Sequence, residues 1–143
     1  MPKPQINFIN EQIKFFLKDK SRIKKWLSAC IIHEKHDPGT ICYVFCSDKY
    51  LLTINNKYLK HNYYTDIITF DYTEKESKII SGDIFISIET VKSNSEDLGI
   101  EFGTELKRVM VHGILHLLGY GDKTNTQQKE MRKKEDKYIK LFM

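Results

Sequence analysis

The chain has 143 residues, 41% hydrophobic and 29% charged, with a net charge of +4. That length predicts a single domain over residues 1–143 with a core of its own, and the composition is that of a globular protein rather than a disordered or fibrous one. No apolar run approaches the roughly 20 residues of a membrane span, and Met1-Pro-Lys-Pro lacks the apolar centre of a secretory signal, so a cytoplasmic location is the expectation.

The three cysteines, Cys30, Cys42 and Cys46, are too few and too irregular for a disulfide framework. Buried free thiols are expected, with metal ligation as the alternative. The charge is uneven: +6 over residues 1–60, −7 over residues 61–106 and +5 over residues 107–143. Two basic regions flank an acidic middle. If they meet in space they form a surface for phosphates; otherwise they only keep the helices solvated.

In chain order, Ile6–Phe8 and Ile13–Leu17 are predicted to be short extended pieces. Ser21 is a candidate cap for a helix to about His36, with Ile23, Trp26, Leu27, Cys30 and Ile31 on one face. Asp37-Pro-Gly39 is expected to end it. Thr40–Cys46, rich in β-branched and aromatic residues, predicts a strand. Tyr50–Leu59 predicts a helix, Ile67–Tyr72 a strand, Thr73–Lys78 a turn and Ile79–Ser87 another strand. Glu89–Leu98 predicts a helix closed by Gly99 in a left-handed conformation. Thr104 is the candidate cap of the next helix, whose core face is Leu106, Val109, Met110, Gly113 and Leu117, with Gly119 as its stop. A last helix is predicted from about Thr124 to Leu141. Strands with helices between and after them predict an α+β, mixed-layer fold.

The chemistry concentrates in Val111-His-Gly-Ile-Leu-His-Leu-Leu-Gly-Tyr-Gly-Asp122. His112 and His116, four apart on a helix, stack their imidazoles on one face. Asp122, delivered by a glycine-bounded turn, is a candidate third ligand. Two neutral imidazoles and a carboxylate suit Zn²⁺ and leave a fourth position for water, as in catalytic zinc sites. The alternative is a histidine pair satisfied within the fold. Gly113 stands where the zinc peptidase motif H-E-x-x-H has its glutamate base, which argues against proteolysis.

This segment resembles the signature of the YbeY family, H-G-x-L-H-L-x-G-Y-D-H. Ile54-Asn55, Tyr58 and Thr65–Phe70 resemble its L-N-x-x-Y and T-[DN]-[VI]-[LI]-[ST]-F elements. Gly82-Asp-Ile84 and Glu105-Leu106 resemble its G-D-I strand and the start of its ligand helix. The resemblance implies a four-stranded mixed sheet and one zinc held by His112, His116 and Asp122 in a positively charged cleft. It also implies cleavage of single-stranded RNA during ribosomal RNA processing, with the small ribosomal subunit as a partner. Two positions depart from the pattern: Asp122 replaces the third histidine, and Leu59 replaces an arginine placed at the phosphate. Lys60 and His61, next along, are the candidate catalytic cations, or else solvated loop residues. Tyr120 is a candidate for base stacking or for the core, and Asp66 and Asp83 are read as structural. The rival reading is a ribosome-assembly binding factor with a structural or weakly catalytic metal, which Leu59 favours.

Overall fold

The computed structural model describes residues 5–60 and 65–142. The fold is α+β. The strands are β1 (Gln5–Glu11), β2 (Asp37–Cys46), β3 (Ile67–Asp71) and β4 (Ile79–Ser87). The helices are α1 (Lys20–His33), α2 (Asp48–Leu59), α3 (Ile88–Leu98), α4 (Phe102–Leu117) and α5 (Asn125–Phe142). The sheet order is β1-β2-β4-β3; β1, β2 and β4 are parallel and β3 runs antiparallel to β4. No helix of the described residues is long and apolar enough to cross a membrane.

Alternation along the strands sends side chains to two layers. Ile41, Tyr43 and Phe45 of β2, with Ile80, Ile84 and Ile86 of β4, join the apolar faces of α1 and α4 in the main core. Cys46, Ile68 and Leu51 form a smaller cluster on the other face, beneath α2. Both faces of β2 are therefore occupied, as expected for a strand with parallel neighbours on each side. Cys30 and Cys46 are buried thiols, while Cys42 is half-buried.

Several sequence expectations need correction. Ile13–Leu17 lies in a loop, where Leu17 still reaches the core. Ser21 is inside α1; Asp19 occupies the cap position in a left-handed conformation, with no side-chain cap bond. Asp37-Pro-Gly39 begins β2 instead of forming a turn, because Pro38 sits at a register shift where its missing N–H is tolerated. Thr104 is likewise inside α4, which starts after Glu101. Glycine at residue 99 does close α3, with φ 67°.

Helix α4 was expected to bury one face only. Val111, Ile114 and Leu115 are buried as well, because α1, α3 and α5 cover what the sheet does not. It crosses the sheet at Gly113. A Cβ there would lie 2.9 Å from Ile84 Cγ2 and 3.1 Å from Ile67 Cδ1, so a larger residue requires the helix or these isoleucine side chains to shift. The buried Tyr43 hydroxyl donates to the Met110 carbonyl at 2.7 Å, tying β2 to the same helix.

Candidate metal centre and its cleft

The site begins with how α4 ends. Leu118 caps it, and Gly119 follows at φ 103°, where only glycine is unstrained. The Gly119 N–H donates to the His116 carbonyl at 3.0 Å and the Tyr120 N–H to the Leu115 carbonyl at 3.0 Å. These are the two bonds of a Schellman closure. The closure turns the chain back over the last helical turn. It brings the Tyr120 carbonyl within 3.0 Å of His116 Nδ1 and returns Asp122 to the histidine face.

His112, His116 and Asp122 are thereby brought together as the sequence predicts. His112 Nε2 and His116 Nε2 are 2.9 Å apart, and Asp122 Oδ2 lies 3.4 Å from the first and 3.3 Å from the second. With metal–ligand bonds of about 2.0–2.1 Å, neighbouring donors on a tetrahedral zinc lie about 3.3–3.4 Å apart. The two carboxylate distances match that spacing, and the imidazoles need to part by a few tenths of an ångström.

The outer nitrogens fix the tautomers. A carbonyl only accepts, so His116 Nδ1 donates to Tyr120. His112 Nδ1 lies 2.6 Å from Glu135 Oε2 and donates to it. Each neutral imidazole therefore presents an unprotonated Nε2 inward. Two such nitrogens and a carboxylate oxygen converge with no donor among them, an arrangement that calls for a cation or a proton. Burial disfavours charge on His112, but the hydrogen bond and charge of Glu135 outweigh it and raise its pKa. Burial and then the charge of His112 lower that of His116.

Glu135 is the residue that spacing did not reveal. It is 5% exposed and accepts from Arg108 Nη1 at 3.0 Å on its other oxygen; Arg108 Nη2 donates to Asp136 at 2.7 Å. A signal was present, since Met131, Glu135 and Tyr138 are the buried positions of α5 at four- and three-residue spacing. A glutamate on such a stripe needs a partner inside. Glu34, at the end of α1, was missed in the same way. Its carboxylate accepts from Tyr120 Oη at 2.5 Å, from Lys134 Nζ at 3.0 Å and from Tyr138 Oη. Burial pushes its pKa up, but these three donors more than reverse that and hold it at about 2. Tyr120 accordingly packs against the core and anchors the turn.

The cleft around the site measures about 400 Å³ and is lined by Thr65, Asp66, Thr69, Glu105, Arg108 and Arg132 beside the three candidate ligands and Glu135. Burial raises the pKa of Asp66, and burial followed by the charge of Asp66 raises that of Glu105. Glu105 Oε1 is the one buried side-chain oxygen or nitrogen among the described residues without a hydrogen-bond partner. Asp66, read as structural from the sequence, thus faces the cleft. Asp83 does not line it; it accepts from Tyr72 Oη at 3.0 Å.

The two basic regions meet where α1 packs against α5, but they do not line this cleft together. Arg108 and Arg132 come from the second region, and no described residue of the first 60 lines the cleft. Lys60 is exposed at the left-handed end of α2, with φ 55°, away from the cleft lining. Leu59 is 41% exposed and also outside the lining. His61 lies outside the described residues.

The family model for endoribonuclease YbeY matches residues 5–143. Endoribonuclease YbeY of Flavobacterium johnsoniae is 48% identical over 137 residues, covering 96% of each chain. The protein of that name from Flavobacterium psychrophilum is 46% identical, covering 93% of this chain and 94% of its own. The solution structure of TM1509 from Thermotoga maritima superposes with a TM-score of 0.68 at 25% identity, covering 96% of this chain and 89% of its own.

Proposed function

This chain belongs to the endoribonuclease YbeY family, and from that membership we propose that it cuts single-stranded RNA in a metal-dependent reaction during ribosomal RNA maturation, in contact with the small ribosomal subunit. The ion we assign is Zn²⁺, one per chain, on His112, His116 and Asp122. The observation that carries this reading is the convergence of two imidazole Nε2 atoms and Asp122 Oδ2 to within 2.9–3.4 Å of one another, close to the spacing of donors on one metal ion.

A divalent ion held there supplies Lewis-acid polarisation of a phosphoryl oxygen or an acidified water for phosphodiester hydrolysis. The chain's own residues do the rest. Glu135 keeps the His112 proton on Nδ1, and the Tyr120 carbonyl does the same for His116, so both lone pairs stay inward. Asp66, whose affinity for a proton is raised by burial, is suited to receive or return a proton beside the reacting phosphate. Gly113 leaves no side chain on the buried flank of α4, so the glutamate base of a peptidase has no place in this helix.

The test is elemental analysis of protein purified without added metal, followed by cleavage of a labelled single-stranded oligoribonucleotide. The parent is expected to carry about one metal ion and to cut. His112→Ala/His116→Ala is expected to lose both properties. Metal-free native and reconstituted parent protein would overturn the site. A metal-loaded parent that holds RNA without cutting it would support an assembly factor instead.

A further inference from the structure

The cleft beside the candidate metal centre has an unusual charge inventory for one that takes RNA. Its described ionisable lining comprises the carboxyl groups of Asp66, Glu105, Asp122 and Glu135 and the guanidiniums of Arg108 and Arg132. With the carboxyls ionised and the imidazoles neutral, the formal charge is −2; a divalent ion brings it to zero. Burial of Asp66 and Glu105, which favours their neutral forms, moves the balance in the direction a phosphodiester needs. The balance still depends on each cation.

The two arginines are not equivalent. Arg108 is committed at both ends of its fork, to Glu135 and to Asp136. A substrate phosphate would have to compete with two carboxylates for it. Arg132 is exposed and forms no hydrogen bond or ion pair among the described residues, although its charge is felt at Glu105. It lies three residues before Glu135 on α5, on the same helix face. Since Glu135 touches His112, this places Arg132 about 4.5 Å along the helix axis from the level of a ligand's partner. Leu59 has no charge to offer, and Lys60 is not part of the lining.

We propose that Arg132 is the phosphate-contacting residue of this cleft, donating its free guanidinium fork to the RNA backbone at or next to the phosphate that is cut. The planar fork matches two phosphate oxygens, which a lysine does not do. The unpaired state of Arg132 leaves its fork available for this role, whereas a guanidinium held by a carboxylate is already neutralised. This inference rests on the RNA-cleaving reading above.

The test uses metal-loaded full-length protein and a fluorescein-labelled single-stranded oligoribonucleotide, with binding read by anisotropy over a range of NaCl concentrations. Arg132→Ala is expected to weaken binding about tenfold or more and to reduce the slope of log affinity against log salt by about 0.7, the release expected for one single-strand phosphate. Arg132→Lys should recover the slope and part of the affinity. Lys133→Ala, which removes the adjacent exposed cation outside the lining, should change affinity less than about threefold. Metal content should equal the parent's in all three. If Arg132→Ala matches Lys133→Ala in affinity and slope, or loses its metal, the assignment is wrong. A parent that does not bind the oligoribonucleotide at all would overturn the RNA reading itself, whatever Arg132 does.

Discussion

Replacing Glu135 by glutamine tests the logic of the metal centre with almost no change of shape. Both carboxylate oxygens accept: Oε2 from His112 Nδ1 at 2.6 Å and Oε1 from Arg108 Nη1 at 3.0 Å. An amide has one acceptor and one donor. If its oxygen faces His112, its NH₂ opposes the guanidinium; if its oxygen faces Arg108, its NH₂ opposes the imidazole N–H. In the second arrangement His112 escapes the clash by moving its proton to Nε2, where it blocks the ion. Loss of a hydrogen-bond partner behind a metal-bound histidine typically costs 10–100-fold in affinity, about 1.4–2.7 kcal/mol. That loss is expected for Glu135→Gln in competition against a chromophoric chelator near pH 7.5, with imidazole nitrogen shifts reporting the tautomer. The pH dependence carries a sign. In the parent, Glu135 holds the His112 pKa above its usual value, so protons compete with the ion even above pH 6.5. Glutamine removes that support and leaves burial to depress the pKa, so the gap between variant and parent should narrow as pH falls. A Glu135→Gln protein that binds metal within about twofold of the parent, while His112→Ala does not bind, would refute this account.

Asp122→Ala is expected to lose more than tenfold in metal affinity, while Asp122→His keeps the ion and moves the midpoint of any pH–rate profile to lower pH, because a neutral ligand leaves the ion more positive; equal affinity for Asp122→Ala would remove it from the ligand set. Glu34 binds its proton more weakly folded than unfolded, about 2 against 4.5, so its contribution is whole above pH 4.5 and is lost as pH falls towards 2. Urea midpoints measured across that window should fall by the equivalent of up to about 3 kcal/mol in the parent and by clearly less in Glu34→Gln. Gly113→Ala forces a methyl to 2.9 Å from Ile84 and should destabilise the fold by about 1–3 kcal/mol in denaturant titration; an unchanged midpoint would mean that the helix or the isoleucine side chains beneath it can shift at no cost.

The elements were legible where one force decides them. Ile79–Ser87 is a strand over the whole predicted range, and the stretch from Leu106 to Leu117 is helical as its spacing implies. The helix starts failed because Ser21 and Thr104 look like caps but the chain enters each helix earlier, through residues without a side-chain cap bond. Propensity at a helix end is worth about 1 kcal/mol, and packing of Ile23 or Leu106 overrides it. The candidate ligands were readable because HxxxH and the Gly119 turn are local. Their supports were not: Glu135 is 23 residues from His112, and Glu34 is 86 from Tyr120. Spacing cannot show which distant carboxylate will meet a given imidazole, although the buried stripe of α5 showed that Glu135 has to meet something.

Those separations make the centre a reporter of the complete tertiary structure. A collapsed chain in which only α4 has formed would offer two imidazoles four residues apart and little else. The third ligand, Asp122, depends on a turn anchored to α1 through Glu34, and the correct imidazole form depends on α5 docking beside α4. An ion taken up at this centre would therefore be captured with the cooperativity of folding, and half-folded molecules would hold it weakly. By mass action such an ion would stabilise only the finished state, shifting the folding equilibrium by RT ln(1 + [ion]/Kd), about 2.7 kcal/mol at a hundredfold excess over Kd. A centre assembled this way would become competent only once the chain has completed its fold.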